Sequence, residues 1–311
     1  MLTRLGIILY ATFLYTPPLL YAALGACFSE VSGVINIGIE GMMTVGAFTG
    51  TAVAYFTGSP AAGFLCAGLA GMLFGALHAI ASVKLSADQV ISGTAINMLG
   101  PGIAVLLSKM LFGSADSVPL SAECKIPSLF NGVFNTASES GRFLANVFST
   151  YASTYLVFIL VPIVWFIFYK TRFGLRMRAC GEHPVACGTL GIDVVKMRFL
   201  CVMISGFLSG LGGATVTMAM SNQFRTNSIV GQGFIALAAV IFGKYRPQGA
   251  LIGCLLFGFC SGLKVVLGNS NAVSAQLISM IPYAVTVIIL VLFVGNTRVP
   301  AANGKPYEKA G

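Results

Sequence analysis

Charge is what this sequence has least of. Only 9% of its 311 residues are Asp, Glu, Lys or Arg, against roughly 25% in an ordinary soluble domain. With 57% of residues hydrophobic and a mean hydropathy of +0.89, too little polar surface remains to coat a globule in water. A bilayer asks for none across its hydrocarbon layer, so the reading is a polytopic membrane protein. Catalytic signatures are missing as well. There is no G-x-x-x-x-G-K-[ST] to cradle nucleotide phosphates and no H-E-x-x-H or G-x-S-x-G to build a hydrolytic centre. An enzyme is not expected, and any ATP-driven step belongs to another subunit. Metal sites are equally unsupported, since Cys180 and Cys187 stand seven apart with only His183 nearby and no Cys-x-x-Cys occurs.

What cysteine there is fits a membrane setting. Cys27, Cys66, Cys201, Cys254 and Cys260 lie in apolar runs, where a free thiol packs as a small hydrophobe. Cys124 stands alone in a polar loop, so no disulfide framework is implied. The 18 Lys and Arg against 9 Asp and Glu give a formal charge of +9. In a soluble protein that excess suggests nucleic acid. Here the basic residues gather in one connecting segment without interleaved aromatics, which is the pattern of topology determinants.

Arg4 and the apolar stretch up to Leu24-Gly25-Ala26-Cys27 imitate a lipoprotein signal. Pro17-Pro18 interrupts that stretch and the chain stays hydrophobic after Cys27, so it is expected to remain as a helix. Long apolar stretches fall at 3–28, 41–56, 61–83, 89–112, 151–169, 199–220, 249–266 and 277–294. Two more, 32–40 and 229–243, are short and interrupted by glycine, below the roughly 20 residues of a straight spanning helix. The segment 170–198 carries Lys170, Arg172, Arg176, Arg178, Lys196 and Arg198 against Glu182 and Asp193, and should be cytoplasmic. The loop 113–150, rich in Ser, Asn, Pro and Gly, should face outward. With Arg4, Lys84, the 244–247 turn and the tail also placed inside, both short segments must cross.

The expected fold is an all-α membrane protein of about ten transmembrane helices, some broken or re-entrant, in two inverted five-helix halves. The single domain divides into a first half (1–112), an extracytoplasmic loop (113–150), a second half (151–294) containing the cytoplasmic segment 170–198, and a tail (295–311). The protein is expected in the cytoplasmic membrane with both termini on the cytoplasmic side. Paired glycine-interrupted segments point to a transport pathway near the midplane, because unwound backbone is tolerated there only where protein or a wet cavity surrounds it.

Polar residues in these runs are the pathway candidates. Glu40, in Asn36-Ile37-Gly38-Ile39-Glu40-Gly41, follows Glu30 and Ser32, and Asn36, Asn97 and Gln232 add amides that donate and accept. The alternative for Glu40 is that it ties the broken segment to neighbouring backbone amides. His78 reads as an interhelical hydrogen-bonder, Lys109 and Lys264 as snorkelling cations, and Asp88 as a helix cap. Gly206, Gly210, Gly212 and Gly213 fit close helix packing. In the cytoplasmic segment a short amphipathic helix is expected after Glu182, with Pro184 in its first position and Gly191 stopping it beyond Leu190. Its apolar face would be Val185, Ala186, Thr189 and Leu190, suited to docking in a partner's groove. A solvated surface helix is the alternative.

The run from Gly174 through Gly191-Ile192-Asp193, with Ser205-Gly206-Phe207-Leu208-Ser209-Gly210-Leu211-Gly212-Gly213 after it, resembles the cytoplasmic signature of ABC importer permeases for branched-chain amino acids, simple sugars and nucleosides. The stretch from Ser29-Glu30-Val31-Ser32-Gly33 to Gly41, the stretch from Gly231-Gln232-Gly233 to Gly243, and the tail Gly304-Lys305-Pro306-Tyr307-Glu308-Lys309 are similar to the nucleoside and sugar branch in particular. The resemblance implies one of two permease subunits, the other a related heterologous chain. Each would dock on a cytoplasmic ATPase, here through Arg176, Arg178, Ala179, Cys180, Gly181, Glu182, His183, Pro184, Ala186, Cys187, Leu190, Gly191 and Ile192. Cys180 and Cys187 depart from the small residues such as Ala usual in the family, though both stay small and apolar. The resemblance further implies an extracytoplasmic binding protein that delivers solute, and no cofactor on this chain, ATP and Mg being held by the ATPase. The solute it points to is a purine nucleoside, with ribose or another simple sugar as the alternative. An ion-coupled carrier is the rival, for which Glu40, Asp88 and His78 are a thin supply of ionisable groups.

Overall fold

The computed structural model describes residues 2–130, 139–268, 280, 284–285, 287–288 and 298–307. Among them the regular secondary structure is all helical, apart from one isolated bridge between Ser128 and Tyr151. Helices α1 (Leu2–Val31), α2 (Ile39–Thr57), α3 (Pro60–Ala79) and α4 (Gln89–Phe112) precede the loop 113–150, which contains α5 (Glu139–Phe148). After it come α6 (Ala152–Lys170), α7 (Arg172–Glu182), α8 (Pro184–Thr189), α9 (Val194–Thr215), α10 (Gln232–Phe242) and α11 (Pro247–Gly268). Helices α3 and α9 each continue into a π turn, at Ile80–Lys84 and Val216–Met220. Five helices, at Leu5–Val31, Pro60–Lys84, Gln89–Phe112, Ala152–Lys170 and Val194–Met220, are long and apolar enough to cross a membrane.

The helix ends follow sequence signals. Ser59 accepts from the Ala62 N–H with Pro60 in first position, Asp88 accepts from Val90 and Ile91, and Asp193 accepts from Lys196. These caps satisfy N–H groups that no carbonyl of the helix reaches. Gly58 and Gly113 end α2 and α4 at φ of +70° and +71°, where a side chain would be strained.

Helix α9 is the axle, with α1, α2 and α3 packed around it. A Cβ on Gly206 would run into the Gly71 carbonyl, one on Gly210 into the Ala67 carbonyl, and one on Gly213 into the Met43 carbonyl. Backbone contact of this kind is how helices associate where lipid offers no hydrophobic drive. Helix α1 lies antiparallel to α9, since Gly25 packs on Ser205 and Leu208 while Gly212 packs on Pro18 and Tyr21. Helix α11 opposes α1 in turn, Gly258 against Thr12 and Thr16 and Gly262 against Ile8 and Ala11.

One expectation needs correcting. The segment 32–40 does not cross: 32–38 is a loop, and Ile39 and Glu40 are the first turn of α2. Four helices, not five, therefore precede the loop 113–150, and the odd count that argued for inverted halves is lost. The parity argument for both termini on one side goes with it. Residues Ala302, Asn303 and Lys305 are bonded around the C-terminal end of α1, whereas the start of that helix, ~45 Å long at 1.5 Å per residue, lies at the other end of the bundle. The second short segment, 229–243, is a single short helix, the 11-residue α10, entered from a loop at 221–231. The stretch 277–294 falls outside the described residues apart from a few scattered positions.

Candidate functional site

Both breaks in the bundle are held by polar side chains. In the first, the Glu30 carboxylate accepts from the Asn36 N–H (3.3 Å), Gln89 Oε1 accepts from the Ile35 N–H (2.7 Å), and His78 Nε2 meets the Ile35 carbonyl (3.1 Å). Asn97 donates to the Ile37 carbonyl and accepts from the Gly41 N–H, both at 2.8 Å. Asn36 donates its amide to Ser205 Oγ on α9 at 2.9 Å. A loop so deep in apolar surroundings survives only because α1, α3, α4 and α9 each supply partners for its backbone. The expected pathway residues thus separate. Glu30, Ser32 and Asn36 are buried in this lattice, while Glu40, Asn97 and Gln232 stay half exposed.

Glu40 links the two breaks. Its carboxylate accepts from the Gly231 N–H at 3.0 Å and faces the N–H groups of Gly233 and Phe234, the exposed donors at the start of α10. An acid there complements the helix dipole, which favours the tying role over free solvation. Gln232 donates to the Ser228 carbonyl at 3.1 Å. The loop 113–150 is sewn to the second break: Ser117 and Leu120 donate N–H groups to the carbonyls of Phe224 and Asn222, and Asp116 accepts from Thr226. Cys124, buried in that loop, accepts from Ser121 Oγ at 3.1 Å.

The segment 170–198 forms the short helix expected after Glu182 as α8, Pro184 opening it and Gly191 turning the chain at φ +79°, and a helix that was not expected, α7, before it. Its residues face two ways. Glu182, His183, Ala186, Gly191 and Arg176 are exposed, with Val185 at 59% and Leu190 at 79%, leaving an unpartnered ridge. Pro184, Ala179 and Ile192 are half-buried, and Arg178 lies over the Tyr169 ring, 5.0 Å from its centroid. Cys180, Gly181 and Cys187 point inward, so they support the ridge from beneath; burial, with Cys187 alongside, pushes the Cys180 thiol up to about 12.

Sequence reasoning missed how the tail and Arg198 hold this platform. Arg198, counted as a topology cation, is 2% exposed. Its guanidinium donates to the carbonyls of Ser32 (3.1 Å), Lys305 (2.8 Å), Cys180 and Ala302 (both 3.5 Å). Asn303 donates to Glu30 at 2.6 Å, the Ala302 N–H donates to the Gly181 carbonyl, and the Ala301 N–H reaches Glu182 at 3.4 Å. Tyr307 packs on the Cys180, Cys187 and Val194 cluster. The tail is a strap joining α7–α8 to the first break.

Apolar helices long enough to cross a bilayer, one buried and one partly exposed break, and an exposed platform at one end fit a membrane transport protein. The family model described as branched-chain amino acid transport system / permease component matches residues 8–291, and the chain belongs to that family. It is 42% identical to the guanosine ABC transporter permease protein NupQ of Bacillus subtilis, over 98% of this chain and 97% of that one. It is 37% identical to the nucleoside ABC transporter permease protein NupC of Lactococcus lactis, over 98% of each. The ribose import permease protein RbsC of Bacillus subtilis is 26% identical over 63% of this chain and 69% of its own. The chain is a multi-pass membrane permease of the ABC transporter class, a transporter and not an enzyme.

Proposed function

We propose that this permease imports a purine nucleoside. The observation that carries the reading is 42% identity to a guanosine permease along almost the whole chain; the ribose permease matches only 63% of it. The chain acts as a single permease domain beside a second, related permease. Both dock on cytoplasmic ATPases that hold ATP and Mg, and an extracytoplasmic protein delivers the solute.

The α7–α8 platform and the strapped tail face the cytoplasm, as the basic residues of 170–198 favour, and the start of α1 faces outward. Val185, Ala186 and Leu190 enter the ATPase groove, with Glu182, His183 and Arg176 at its edge, while Cys180, Gly181, Cys187 and Ile192 hold the ridge in place. When ATP closes the ATPases, α8 moves and the strap carries the displacement to Ser32 and Glu30. The Glu40 contact with α10 transmits it from one break to the other. The solute passes beside Glu40, Asn97 and Gln232, the half-exposed members of the polar set. Free energy enters because the inward and outward states bind solute and nucleotide differently.

The test is uptake of labelled guanosine or inosine by cells with and without the gene, with excess nucleoside or ribose as competitor and vanadate as ATPase block. Gene-dependent, vanadate-sensitive uptake suppressed by nucleoside but not by ribose is expected. Loss of ribose uptake alone would reassign the solute to sugars; dependence on the proton gradient with ATP maintained would overturn the ATPase partnership.

A further inference from the structure

A cavity of about 870 Å³ opens between the end of α6, the α10–α11 turn and the first turns of α11, the end of the bundle that also carries α7 and α8. Its wall is Trp165, Phe242 and Ile252, and its rim carries Lys170, Lys244 and Arg246, all three exposed. No acid lines it. Among the described residues, none of the three cations has a carboxylate within ion-pairing distance.

We propose that this cavity holds an anionic glycerophospholipid of the cytoplasmic leaflet. The arrangement grades from charged to apolar along the bundle axis as a phospholipid does. Lys170 ends α6, and Trp165 lies five residues further into the helix, ~7.5 Å deeper. Lys244 and Arg246 stand in the turn before α11, and Ile252, 68% exposed, lies more than a turn inside it. The phosphate sits among the cations at headgroup depth and the acyl chains run along the aromatic and aliphatic wall. Basic pockets between spanning helices on the cytoplasmic side suit such headgroups, and each basic residue near an anionic surface adds to the attraction. A neutral nucleoside has no use for three unpaired cations, and a free phosphate would leave the wall against water. The proposal rests on the bundle crossing a bilayer and not on the solute it carries, so a failed uptake assay and a failed lipid assay are separate outcomes.

Trp165 is the single tryptophan of the chain, so its fluorescence reports on the cavity directly. The full chain is reconstituted in phosphatidylcholine vesicles containing rising fractions of brominated phosphatidylglycerol or, in parallel, brominated phosphatidylcholine. Half-maximal quenching is expected at about a fivefold lower fraction of the anionic lipid. The Lys170→Gln/Lys244→Gln/Arg246→Gln variant is expected to bring the two curves together with maximal quenching unchanged, which also shows Trp165 still in place. Lys109→Gln, remote from the cavity on α4, leaves the preference intact. Coincident curves for the unchanged chain would overturn the proposal, as would a preference that survives the triple substitution. Quenching by neither lipid means that protein covers the cavity, and displacement by excess inorganic phosphate means a free-anion site; each equally refutes it.

Discussion

Replacing Arg198 by Met removes the group that holds three separate segments to α9. The volume stays similar, but the carbonyls of Ser32 and Lys305 lose donors at 3.1 and 2.8 Å in a buried setting. Each hydrogen bond from a charged donor contributes about 1.5–3 kcal/mol, so the two shorter ones together give about 3–6 kcal/mol, with the two 3.5 Å contacts left uncounted. At about 1.4 kcal/mol per decade, the released form of the tail should become about two to four powers of ten more populated. Hydrogen exchange measures this, because the Ala302 N–H is bonded to the Gly181 carbonyl and exchanges only when the strap opens. Peptides covering 298–307 should exchange faster by that factor, while those from the α3–α9 contact should not change. Equal protection of the tail in Arg198→Met and unchanged chain would refute the assignment of Arg198 as the strap's anchor.

Three further outcomes follow from the packing and the platform. Gly213→Leu sets a side chain against the Met43 carbonyl, an overpacking that costs about 1–3 kcal/mol or more; Gly102→Ala, with nothing within 4 Å, should hold or raise stability by up to about 1 kcal/mol. Thermal unfolding in detergent compares them, and a Gly213→Leu chain as stable as the parent would contradict the close α2–α9 approach. Glu182→Lys reverses the charge beside the docking ridge and removes an acceptor from the Ala301 N–H, so ATP-driven uptake should fall several-fold while ATPase turnover persists; unaltered uptake would sink the coupling role. For Cys180 the sign is set by the thiol remaining protonated in the fold. Between pH 9.0 and about 12 the unfolded chain releases a proton that the folded chain retains, so stability declines as pH rises through that window. Iodoacetamide should therefore leave Cys180 unlabelled in native protein at pH 8 and label it after denaturation, a contrast that mass spectrometry can detect or exclude.

Local signals were legible wherever the partner lay close in sequence. Asp88 caps α4 as its place at the start of a span suggests, and α8 starts and stops where Pro184 and Gly191 place it. His78 is the interhelical hydrogen-bonder its apolar setting implied, bonded to Ser92 and Ile35. The 32–40 segment misled because hydropathy scores side chains, and a loop whose backbone is satisfied by Gln89, Asn97 and Arg198 stays as apolar as a helix. Those partners lie 54 to 166 residues away, beyond any local pattern. Arg198 was hidden for the same reason: at the end of a basic run it looks like a topology cation, and only the returning tail shows that it is enclosed. Asn97 and Gln232 were found as polar residues in apolar runs, but which neighbour each one faces depends on helix rotation.

The strap also sets an order of assembly. Lys305, whose carbonyl takes the shortest of the Arg198 bonds, is made 107 residues after that arginine, roughly 5–20 s later at the usual pace of synthesis. Through that interval α9 must carry a guanidinium whose socket is missing one wall. The α7–α8 platform is therefore completed only by a segment made well after the platform itself. Until Lys305 is in place α7–α8 stays without its anchor, so the proposed docking surface takes its final shape later than the helices that form it.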